Sequence, residues 1–223
     1  MTKRTVLGAL AGALGLSSSA KAQPATVDPR TILYSLPTIS NDGPPLTPVT
    51  AAPGANDVSF HEDDWRQIEF FPADRRDEIQ RTLQELKAFE AQNRVQSGWR
   101  NIYVRNVAPA PIYSGNDAVS SLAQDLNASI EPAPLIFQGA NTLTGRVRDG
   151  FTLRLGPGAV LYGVNDAEGI TVLGANLQNA DDRLLTDAFV KLSYRDGLVL
   201  VDWVAQALLI DVAPGDHVTI WRP

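Results

Sequence analysis

The sequence predicts an α+β fold, with two helices in the first half packed on a mainly antiparallel sheet and a β-rich C-terminal half. Two observations predict it. Apolar residues recur at helical spacing over residues 73–94 and 116–128. After Gly139 the character changes: glycines at 145, 150, 156, 158, 163, 169 and 174 punctuate short apolar runs, the pattern of strands and turns.

Residues 58–71 read as extended, interrupted by the acidic run at 62–64. Strand alternation then puts Ile68 and Phe70 on one face with Arg66, and Trp65, Gln67, Glu69 and Phe71 on the other. Pro72 and Asp74 open the strongest helix, over 73–94. Its stripe is Ile79, Leu83, Leu86 and Phe89. Asp74, Asp77 and Glu78 crowd the first turn, where the helix dipole favours negative charge. Gly98 supplies the stop. Residues 99–107 predict a strand, ended by Pro109 and Pro111. The second helix, 116–128, takes Asn116 as its N-cap and buries Val119, Leu122 and Leu126. Pro132 and Pro134 close it, and a short strand follows at 135–137.

In the second half, 151–155, 160–162 and 170–173 are apolar strand-like runs. Residues 191–201 predict a hairpin turning at Arg195, Asp196 and Gly197. Residues 207–221 predict another, turning at Ala213, Pro214, Gly215 and Asp216. For 201–210 the pattern allows either a short helix capped by Asp202 or a strand. The Asp-Trp pairs at 64–65 and 202–203 share too little context to indicate a repeat. Gly156 and Gly158 lack a following helix, so a phosphate-binding loop is not expected.

The N-terminus carries an address. Lys3 and Arg4 precede an apolar run at 6–16, and Ala20 and Ala22 provide the small residues of a cleavage site. The run falls short of the roughly 20 residues that cross a bilayer core. Residues 1–22 are therefore expected to be an export signal removed before Gln23, with no membrane span in the mature chain. Residues 2–7 (TKRTVL) also resemble a twin-arginine signal with Lys in place of the first Arg, so either export route is open. Residues 23–56 contain prolines at 24, 29, 37, 44, 45, 48 and 53 and predict an extended or disordered arm. Within it, 32–36 is apolar enough to lie against the domain or extend a sheet edge. Residues 57–223 form one α+β domain, with a sub-boundary near 139 if it divides.

Removing Lys3, Arg4 and Lys21 from the 19 basic residues leaves 16 against 25 acidic ones, a net charge of −9. So acidic a chain is not expected to bind nucleic acid, which relies on Lys and Arg to neutralise phosphates. The chain has no cysteine, which excludes disulfides, thiolate zinc sites and a thiol nucleophile.

The densest polar cluster is His61, Glu62, Asp63, Asp64, Trp65 and Arg66. Adjacent carboxylates beside an imidazole are candidates for acid–base work, because crowding like charges raises a carboxyl pKa. On a strand, only His61 with Asp63, or Glu62 with Asp64, converge. No metal site and no cofactor is expected, since His217 is the only other histidine. Gly-x-Ser-x-Gly is absent, so a serine triad has no support. The binding candidates are Trp65, Arg66, Trp99, Arg100 and Trp221, because indoles beside arginines offer large contact area with a polar fork.

These residues favour a noncatalytic secreted or periplasmic binding protein that recognises a protein partner or an envelope polysaccharide. An inhibitor or immunity-type role suits its charge. Two alternatives stand beside it: an envelope hydrolase using Glu62, Asp63 and Asp64, and a structural envelope component tethered by its proline-rich arm.

Overall fold

The computed structural model describes residues 28, 32–54, 57–115, 117–139, 142–214 and 217–223. Strands from Thr38–Ser40 (β1), Leu46–Thr47 (β2), Ser59–His61 (β3) and Ile68–Pro72 (β4) lead into the helix Arg76–Asn93 (α1). Arg94–Val95 (β5), Gly98–Trp99 (β6) and Tyr103–Arg105 (β7) follow, then the helix Ala118–Leu126 (α2). Ser129–Pro132 (β8), Leu135–Gln138 (β9), Thr142–Val147 (β10), Gly150–Gly156 (β11), Ala159–Asp166 (β12) and Gly169–Leu177 (β13) precede a third helix, Asp182–Asp196 (α3). The chain ends with Leu198–Asp202 (β14), Ala207–Ala213 (β15) and His217–Trp221 (β16).

The α+β class is as expected, and its centre is an eight-stranded sheet ordered β16-β15-β14-β4-β13-β12-β11-β8. All its pairings are antiparallel. Strand β4 comes from the first half of the chain yet sits mid-sheet, between β13 and β14.

Successive strand residues point to opposite faces, so each strand feeds two cores. On one face Phe70, Leu153, Leu161, Leu173, Leu198 and Leu200 meet Leu122 and Leu126 of α2 and Leu185, Phe189 and Leu192 of α3. On the other, Phe71, Val199 and Val201 meet Ile79 and Leu83 of α1. Further along that face, Val160, Tyr162 and Val172 are covered by Phe60, Ile136 and Val147. These come from a second sheet, ordered β2-β10-β9-β3. Burial on both faces explains why 159–164 and 198–201 are continuous apolar runs instead of alternating ones.

The third helix corrects the expected placement of helices in the first half only. Residues 191–196, read as a hairpin arm and the start of its turn, are the end of α3. Its buried face, Leu185, Ala188, Phe189 and Leu192, begins upstream of that segment. Asp181 caps its start by accepting from the Arg183 amide, and Gly197, at φ 64°, ends it in the left-handed conformation. A left-handed glycine serves a helix end as readily as a hairpin turn. Residues 203–206 form a turn, not a helix, with the Ala205 amide donating to Asp202 Oδ1 at 2.8 Å. Asn116 and the turn residues Gly215 and Asp216 lie outside the described residues, as do the leader residues 1–22.

Parts of the proline-rich segment pair with the rest of the chain. Strand β1 runs parallel to β7, β2 pairs with β10, and Tyr34 bridges Trp99. Gly98, at φ 149°, makes that bridge possible, since a Cβ there would lie 2.4 Å from the Tyr34 carbonyl oxygen. No described helix is long and apolar enough to cross a membrane.

Candidate functional site

The 61–66 cluster does not act as a unit. Residues Glu62–Asp64 form a single turn of 3-10 helix, so the carboxylates fan out rather than alternate across a strand. The His61 Nδ1 accepts the Asp63 amide at 3.2 Å and caps the turn. Because that lone pair is taken, the Asp63 carboxylate, 3.3 Å away, is an electrostatic neighbour of the ring. Glu62 accepts from the Gln138 amide at 2.5 Å. Among the described residues, no group of three or more His, Asp or Glu could hold a metal ion.

Trp65 and Arg66 turn inward: Trp65 is 3% exposed and Arg66 1%. Trp65 packs on Tyr162 with ring centroids 5.1 Å apart, and the Tyr162 hydroxyl accepts the Arg66 amide at 2.8 Å. Arg66 has φ 57°, outside the strand conformation, and its guanidinium thereby reaches the Glu69 side of the sheet instead of the expected Ile68 and Phe70 side. Arg66 Nε donates to Glu69 Oε1 at 2.7 Å and Nη2 to the Val107 carbonyl at 2.9 Å. Arg105 donates to the Arg66 carbonyl at 2.8 Å and to Thr38 Oγ1 at 3.0 Å, and lies 4.9 Å from the ring centroid of Trp203. Gln67 closes the network by donating to the Thr38 carbonyl at 2.8 Å.

Burial is the main influence on this network. It raises the Glu69 carboxyl against the pull of Arg66 and Arg105. It lowers the Arg105 guanidinium to about 9, with Glu69 resisting. Glu69 lies between the two guanidiniums in an ion pair with Arg66, and the half-exposed Asp42 carboxylate stands 3.7 Å from Arg66 Nη1. Sequence adjacency gave no sign of this arrangement, which ties β1, β4 and β7 together through Thr38, Arg66, Gln67, Glu69 and Arg105. Its charged members Arg66, Glu69 and Arg105 are each 2% exposed or less.

The phenols add a pH dependence. Burial first, then the Glu85 carboxylate, raises Tyr103 from its ordinary 10.0 to about 12. Burial likewise raises Tyr113 and Tyr162. Unfolded phenols lose their protons near pH 10.0 while folded Tyr103 keeps its own to about 12, so this stabilisation is full below the first value and lost through the second. The melting temperature is expected to fall across that interval, and Tyr103→Phe to lessen the fall. A level profile would contradict the assignment.

A different part of the molecule offers an accessible concavity. A cleft of about 390 Å³ lies at the C-terminal end of α1, lined by Lys87, Glu90, Arg94, Trp99, Gln206 and Arg222 among others. The volume falls within the usual range of small-ligand pockets. Trp99 is half-buried, with an indole N–H that is shielded from solvent and has no hydrogen-bond partner. The β5–β6 hairpin and the Tyr34 bridge hold it in place. Arg222 crosses to the Ala205 carbonyl at 2.7 Å, while Glu90 accepts from the Gln206 amide at 2.5 Å.

Of the predicted binding residues, only Trp99 lines this cleft. Arg100 is exposed beside it, and Trp221 is half-buried against the Leu208 side of the core. The arginines that line the cleft with Trp99 are Arg94 and Arg222, not its chain neighbour. Lys87 and Arg94 carried one legible signal, their place near the end of a helix whose opposite stripe is apolar. No protein-family model, curated protein or solved structure matches this chain.

Proposed function

We propose that this chain is an exported, noncatalytic binding protein of the periplasm or cell exterior, cleaved before Gln23, which takes a cell-envelope polymer in the Trp99 cleft. The observation that carries this reading is the cleft itself, where a half-buried indole stands among arginines on a rigid hairpin. Indoles offer broad apolar contact with little entropy to lose, and a concave wall favours a polymer segment over a flat protein surface.

The test uses the full chain expressed with its own leader. The extracytoplasmic fraction should yield a protein beginning at Gln23 that co-sediments with isolated envelope polymer. Trp99→Ala should weaken retention about tenfold or more, the effect of losing an interfacial anchor. Amide variants at Glu62, Asp63 and Asp64 should leave it unchanged. Absence of retention, or equal retention by Trp99→Ala, would overturn the proposal.

A further inference from the structure

We infer that the Trp99 cleft selects an anionic saccharide, one whose carboxylate or phosphate meets Arg94 and Arg222. This rests on the binding reading above and adds the chemistry of the ligand. The Arg94 guanidinium has no hydrogen-bond or ion-pair partner among the described residues. The Trp99 indole N–H is shielded from solvent and so out of a ligand's reach, and Trp99 contributes its ring face. Arg222 engages the Ala205 carbonyl through Nη1, leaving other guanidinium donors available. Lys87 donates to the Pro223 oxygen at the cleft's edge and is occupied by it.

Acceptors are scarce by comparison. Glu90, the acid lining the cleft, is already bonded to Gln206. Arginine forks match the paired oxygens of carboxylate and phosphate, and a low-dielectric wall strengthens that attraction. Arg94 and Arg222 thus gather cationic groups in the cleft of a chain whose formal net charge is −6. The Trp99 ring supplies an apolar surface for a sugar. Together these features fit an acidic saccharide better than a neutral one or a bare anion.

Titration calorimetry on the folded, exported chain tests this with trigalacturonate, glucose 1-phosphate and maltotriose as probes. At least one anionic probe should bind, maltotriose should bind about tenfold or more weakly, and added salt should weaken the anionic probe alone. Arg94→Gln should lower affinity for that probe about ten- to a hundredfold, the range of a charge-assisted hydrogen bond. Arg94 is exposed, so its variant should melt with the wild type. Binding of trigalacturonate alone identifies carboxylate as the charge, and binding of glucose 1-phosphate alone identifies phosphate. If neither anionic probe binds, or if maltotriose binds equally and Arg94→Gln changes nothing, the inference is overturned. Continued loss of envelope retention in Trp99→Ala would then show that the cleft reading survives without it.

Discussion

Glu69→Gln is expected to lower the free energy of unfolding by about 3–5 kcal/mol, the cost of breaking a buried ion pair from one side. Glu69 is 2% exposed and bonded to Arg66 at 2.7 Å. Glutamine keeps the shape and an accepting oxygen but removes the charge that Arg66 and Arg105 share. The matched control is Glu78→Gln, because Glu78 pairs with Arg75 at 2.6 Å at the surface of α1. Water screens that pair, so its loss should cost no more than about 1 kcal/mol. Chemical denaturation midpoints at unchanged slope provide the comparison. Equal shifts for the two variants would refute the assignment of Glu69 as the network's central anion.

Trp203→Ala should be as damaging, at about 3–5 kcal/mol, the usual range for deleting a large buried aromatic. Trp203 is fully buried, lies edge-on to Phe71 with centroids 6.4 Å apart, and sits beneath the Arg105 guanidinium. Its indole N–H has no hydrogen-bond partner, so Trp203→Phe leaves no orphaned acceptor and should cost much less. The residue also begins the turn that forms one wall of the Trp99 cleft, through Val204, Ala205 and Gln206. Ligand affinity is therefore expected to fall with Trp203→Ala and to survive Trp203→Phe. Denaturation of the two variants in parallel checks the order, and a Trp203→Ala chain as stable as wild type would sink it.

Both effects arise where local pattern and tertiary structure part company. Alternation along 65–71 placed Ile68 and Phe70 opposite Glu69 and Phe71, which is how β4 divides them between two cores. The same rule failed at Arg66, because a left-handed backbone there breaks the strand period before β4 begins. Helix α1 was legible since its Ile79, Leu83 and Leu86 stripe repeats within the helix itself. Helix α3 was not, because its final glycine carries the signature of a turn and its last residues resemble strand composition.

The candidate site followed the same division. Trp99 stood out from its residue type alone, but its partners could not be read from its neighbours. Arg94 comes from the preceding hairpin arm, and Arg222 follows the edge strand β16.

By itself the sequence determined the α+β class, the longest helix, the apolar strand runs of the second half and the absence of thiol chemistry. Those properties reside in composition and short-range periodicity, which every segment carries with it. Only the tertiary structure decided that β4 lies mid-sheet, that Glu69 faces Arg66 and Arg105, and that Trp99 and Arg222 line one cleft. These contacts depend on the order in which distant strands pair, and no local period encodes that order.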